Sequence, residues 1–162
     1  MPAGSTYTPI ATTTLTGGTS YTFSSIPSTY TDLIMVLNVA TASGSSNLAM
    51  QFNADTGSNY SFTRIYGNGS SVASSRAANV TDNYIGDIGT TISTNIIQIQ
   101  NYSNTTTNKT SLSRSNDTST NVQAWVTLWR NTAAINAIKV YATGGQTFAN
   151  GSQLTLYGIA AA

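Results

Sequence analysis

Apolar positions along this chain recur in short alternating runs, and no window of helical length shows the 3.6-residue spacing of an amphipathic helix. The runs are rich in β-branched and aromatic residues and are broken by Gly, Asn, Asp and Ser, which tolerate turns. Residues 6–16 and 19–24 form the first two, and Gly17-Gly18 between them predicts a hairpin. Asp32–Ala40 (DLIMVLNVA) holds a continuous apolar stretch that suits a central strand buried on both faces. Asn47–Asn53 follows, then Tyr60–Tyr66, where Tyr60, Phe62 and Arg64 alternate with Ser61, Thr63 and Ile65. Asn68-Gly69 predicts a second hairpin. Residues 71–93 are the least regular stretch and read as a loop or a short edge strand. Strand patterns resume at Asn95–Tyr102, Lys109–Ser113, Gln123–Arg130, Ile135–Thr143 and Gln153–Ile159. In the first of these Ile97 and Ile99 alternate with Gln98 and Gln100, so one face is wet.

About ten short strands predict an all-β fold, a β-sandwich or jelly roll. Uneven strand lengths and long loops disfavour a barrel. Residues 11–162 read as one domain, and residues 1–10 as an extended N-terminal arm, because Pro2, Gly4 and Pro9 oppose regular pairing. No repeat of solenoid or propeller period is present.

Composition changes the picture of the surface. Charged residues make up 7% of the chain, against about 25% in an ordinary soluble domain. Thr, Ser and Asn take their place, giving a neutral surface with little repulsion to keep copies apart. At 40% hydrophobic and 9% aromatic, the chain still has material for a core. A net charge of +1 carries no footprint for nucleic acid or an anionic membrane, so neither partner is expected. The longest aliphatic run, Leu33 to Leu37, falls far short of the roughly 20 residues of a membrane span. The opening MPAGSTYTPI has no basic or apolar signal region, and no secretory signal is expected. Eight Asn-x-Ser/Thr triplets occur, among them those at Asn68, Asn104 and Asn150, as so much Asn, Ser and Thr produces by chance.

The chemistry on offer is sparse. The chain has no Cys and no His, and all five of its acids are Asp. Disulfides, Ser-His-Asp and Cys-His arrangements and the usual zinc ligands are excluded, and no enzymatic activity or cofactor is expected. Asp82 and Asp87, in DNYIGD, are the least poor candidates for a catalytic carboxylate pair, although turn and cap roles suit them better. Asn53 to Asn59 places oxygen ligands at alternate positions, as a calcium loop does, but lacks the distal acid and reads as a tight turn. Trp125 and Trp129 share one face of a strand about 13 Å apart, a spacing that suits a platform for sugar rings. Val126 and Leu128 make the opposite face apolar too, which favours packing in the core or an interface. Arg64, Arg114 and Arg130 are interface candidates through their planar forks.

The run Tyr21-Thr-Phe-Ser-Ser-Ile26-Pro27-Ser-Thr-Tyr30-Thr-Asp32-Leu33 resembles a pattern of virion proteins of tailed bacteriophages. Gln51-Phe52-Asn53-Ala-Asp55-Thr-Gly57-Ser-Asn59-Tyr60 and the ending Gly151-Ser152-Gln-Leu-Thr-Leu156-Tyr157-Gly158-Ile159 continue it. Within that group the chain is similar to trimeric β-sandwich cement proteins that decorate capsids, those of cyanophages included. The resemblance implies a homotrimeric decoration protein on the capsid surface of the virion, made in the host bacterial cytoplasm. Its partners would be the major capsid protein and its own copies. Contacts would come from the arm (Met1–Ile10), which carries the interface candidates Tyr7, Pro9 and Ile10, and from one end of the sandwich; Arg64, Arg114 and Arg130 are the other interface candidates. The alternative is a tail- or head-fibre module that binds a host surface glycan through Trp125 and Trp129.

Overall fold

The alternating runs become twelve strands and no helix in the computed structural model, which describes residues 6–116 and 120–160. Eight strands build one antiparallel sheet. In chain order they are β1 (Tyr7–Thr14), β3 (Asp32–Val39), β5 (Tyr60–Gly67), β6 (Val72–Val80), β8 (Ser93–Ile99), β9 (Lys109–Asn116), β10 (Val122–Trp129) and β12 (Gln153–Ile159). Across the sheet they run β1-β12-β3-β8-β9-β10-β5-β6. The second sheet, in the order β2-β11-β4-β7, uses β2 (Ser20–Phe23), β4 (Ser46–Phe52), β7 (Asn83–Ile88) and β11 (Ile138–Ala142). The chain is a β-sandwich of two antiparallel sheets, as its pattern predicts.

Period-2 alternation sets what each sheet buries. Leu33, Met35 and Leu37 of β3, Leu154 and Leu156 of β12, and Ile97 and Ile99 of β8 point inward. They meet Leu48, Met50 and Phe52 of β4 and Ile138 and Val140 of β11 in the apolar core. As expected, β3 is central; Ile34 on its other face is buried too.

Three expectations are corrected. Gly17-Gly18 does not close a hairpin: β1 pairs with β12 in one sheet and β2 with β11 in the other. The two glycines, at φ +108° and +96°, carry the chain across between the sheets. Residues 71–93 hold two full strands. β6 hides from a pattern search because nearly every position is exposed, so no face demands apolar residues. β7 hides for the opposite reason, being buried on both sides with Asn83, Gly86 and Asp87 in the strand. Finally, Tyr7, Pro9 and Ile10 lie in β1 at the edge of the large sheet, so the expected boundary at residue 10 falls inside a strand. Residues 1–5 of that arm lie outside the described residues.

Candidate functional site

Two surfaces hold the residues singled out in the sequence: the seam between β7 and the large sheet, and the outer face of that sheet.

The seam is polar because of β9, whose inward row is Lys109, Ser111, Ser113 and Ser115. Ser93 and Asn95 of β8 and Gln123 and Thr127 of β10 extend it. Gly86 lets β7 lie close, since a Cβ there would overlap Asn95 Oδ1 and come within 3.2 Å of Ser115 Cβ. Arg64 Nη1 donates to Asp87 Oδ2 at 2.8 Å, and Gln123 Nε2 donates to the same oxygen at 2.9 Å. Trp125 Nε1 in turn donates to Gln123 Oε1 at 2.9 Å. The Arg64 guanidinium lies 4.0 Å from the Tyr66 ring centre and 4.8 Å from that of Trp125. Six buried atoms along this seam have no hydrogen-bond partner: Arg64 Nε, Asp87 Oδ1, Asn95 Oδ1, Ser115 Oγ, and Nδ2 and Oδ1 of Asn83. Lys109 is buried with no carboxylate beside it among the described residues, its Nζ donating to Thr107 O at 2.6 Å and Thr132 O at 3.0 Å, and burial pushes its pKa down.

Both tryptophans belong to this interior. Trp125 is 2% and Trp129 1% exposed, so the sugar-platform alternative is corrected: neither ring offers a face to a ligand. Trp129 Nε1 donates to Asp55 Oδ2 at 2.7 Å, and Gly57 N and Asn59 Nδ2 donate to the same carboxylate at 2.8 and 2.9 Å. Burial raises the Asp55 pKa, but these hydrogen bonds outweigh it and hold the carboxyl below its ordinary value. The alternating oxygens of residues 53–59 thus shape a turn, with Asn53 and Ala54 at φ +51° and +57°.

Asp82 and Asp87 are not brought together. Asp82 lies just before β7 and Asp87 within it, five residues on, an extended span of roughly 15 Å that exceeds the spacing of a glycosidase pair. Asp82 instead accepts from Tyr141 Oη at 2.6 Å; burial and this carboxylate raise the Tyr141 pKa. Arg130 donates to Ser58 O at 2.7 Å and Asn79 Oδ1 at 2.9 Å, tying the end of β10 to the turn before β5 and to β6. Arg64 and Arg130 therefore hold the fold internally, and Ile10 packs against the core.

Tyr7, Pro9 and Arg114 share the outer face of the large sheet. On its β9-β10-β5-β6 half, Ile65 is 60%, Val72 82%, Val122 67% and Val126 55% exposed, and Leu112 is exposed beside them. Pairing register sets two adjacent rows across this face. One runs Ile34, Gln98, Leu112, Val126, Thr63, Arg76. The next runs Val36, Ile96, Arg114, Ala124, Ile65, Ser74. The small sheet lies on the opposite side, and none of the described residues covers this half. Sequence reasoning missed these residues by taking the second apolar row of β10 as a sign of a strand buried on both faces. Val126 and Leu128 were the signal, and they point outward.

No family model, curated protein or solved structure matches the chain.

Proposed function

We propose that this chain is a structural, adhesive component of a phage virion: a capsid decoration protein that joins its own copies and binds the major capsid protein. The observation that carries the proposal is the uncovered apolar half of the outer face, with Ile65, Val72, Val122 and Val126. Contiguous exposed apolar surface of this kind marks protein contact sites. The neutral surface around it puts little electrostatic opposition in the way of association. The virion placement comes from the resemblance of residues 21–33, 51–60 and 151–159.

A decoration protein acts by binding a repeated surface in many copies, so that modest contacts add through multivalency. Shell rupture must then break contacts that bridge neighbouring capsid subunits. The test is rebinding: purified protein is added to capsids that lack it, and particle survival under heat and low salt is measured. Saturable rebinding with a gain in survival is expected. No rebinding, with equal survival of bare and decorated particles, overturns the proposal.

A further inference from the structure

We infer that the outer face of the eight-stranded sheet is a two-fold contact with a second copy of this chain, stacked face to face. The inference rests on the self-associating part of the reading above and names the surface that performs it.

Size is the first argument. Eight strands about 4.8 Å apart, of seven to nine residues at about 3.4 Å each, make a face on the order of 38 by 25 Å. That is about 950 Å², comparable with the roughly 800 Å² each partner contributes to a standard stable interface. The exposed half alone is about half of this, too small for a stable pair but sufficient as its apolar centre.

The row pattern is the second argument, because it complements itself. A two-fold axis that runs across the strands, between the two central rows, sets each row on the other row of the second copy. Val126 then faces Ala124 of the second copy, and Thr63 faces Ile65. Arg114 lays its aliphatic stem over Leu112, and Arg76 faces Ser74. No cation meets a cation. An axis parallel to the strands does worse, since it sets β6 over β1 and the apolar half over a half rich in Thr and Gln. Two sheets of the same natural twist pack well in the aligned arrangement, about 10 Å apart.

Charge is the third. The described residues of this face carry Arg76, Arg114 and, at the start of β3, Asp32, whose Oδ1 accepts from Asn101 N at 2.7 Å. A face this close to neutral suits its own copy better than a strongly charged partner.

The experiment measures mass in solution for the full chain and for Val126→Glu and Ile65→Glu, each checked for native near-UV circular dichroism. Both side chains are more than half exposed, so at least one variant is expected to fold. The expected result is an even number of chains for the wild type, falling by half in either folded variant. A single-chain mass at every concentration overturns the inference. So does a three-chain mass, the number the resemblance implies, or an even mass that neither substitution changes. Mixing Ala124→Cys with Val126→Cys gives a second reading, since the chain has no other Cys. Facing Cα atoms about 10 Å apart are too far for a disulfide, so a short bifunctional thiol cross-linker is used. The mixed cross-link is expected, and only like-with-like cross-links or none overturns the stacking. Capsid rebinding separates the two proposals: a wild type that pairs but does not rebind fails the function above and leaves this inference standing. A monomeric wild type that rebinds does the reverse.

Discussion

Between the two sheets, one half of the filling is dry and the other is wet in composition. Under β12, β3 and β8 the sheets meet through Leu33, Met35, Leu37, Leu154, Leu156, Ile97 and Ile99 against Leu48, Met50 and Val140. Under β9, β10 and β5 they meet through Lys109, three serines, Gln123, Thr127 and the Arg64–Asp87 pair at 2.8 Å. The first half is held by area, which is non-directional and tolerant of small shifts. The second is held by hydrogen bonds, which count only when every partner is in place. Aromatic rings bridge the two kinds: Trp129 lies 5.4 Å from Phe52 on the dry side, and Trp125 lies 5.3 Å from Phe62 on the wet side. The lesson is that this chain forms a sandwich without a uniform oily core: its wet half pairs many polar groups with one another and leaves six buried atoms unpaired. β7, edge strand of the small sheet, lies over the wet half and is where stability should be most sensitive to single atoms.

The largest expected effect breaks the dry half. Leu37→Ala empties a fully buried site and should cost about 3 kcal/mol, read as a lower denaturant midpoint with unchanged slope. Next, Gly86→Ala forces a methyl into Asn95 and Ser115 and should cost about 2 kcal/mol, with a changed near-UV signal from Trp125, whose ring packs on Tyr84 of the same strand β7. A pair of serines then sharpens the contrast within the wet half. Ser113 Oγ donates to the Ile85 carbonyl, so Ser113→Ala should cost about 1 kcal/mol. Ser115 Oγ is buried and unpaired, so Ser115→Ala should leave the midpoint unchanged or raise it slightly. Equal losses in the two variants would show that the seam is not organised by individual bonds.

The smallest effect is in pH. Asp55 has a folded pKa below its unfolded one, so the unfolded chain binds more protons and stability rises with pH. Its contribution is fully present above the unfolded value, about 3.9, and is lost as pH falls through the folded value. Trp129 fluorescence during acid titration reads this directly, and Asp55→Asn should flatten that part of the stability profile.

Strands with one dry face were legible in the sequence, as were β3 as a central strand and the Asn68-Gly69 turn. β6 and β7 were not, because one has no buried face to pattern and the other has no exposed one. The site was less legible than the fold. Trp125 and Trp129 stand out in the sequence as a spaced pair, yet a strand pattern alone does not say which of two apolar rows faces the core. Arg64, Arg114 and Arg130 look alike in the sequence, but one pairs with Asp87, one is exposed on the outer face and one ties loops.

By itself, the sequence determined the strand class and the poverty of chemistry. Alternation makes strands whatever their neighbours, and a chain without Cys, His or Glu cannot assemble the common catalytic sets. Only the tertiary structure decided which sheet each strand joined and which row of β10 was left outside. Both depend on pairings between distant segments, such as β1 with β12 and β5 with β10, and local pattern does not encode them.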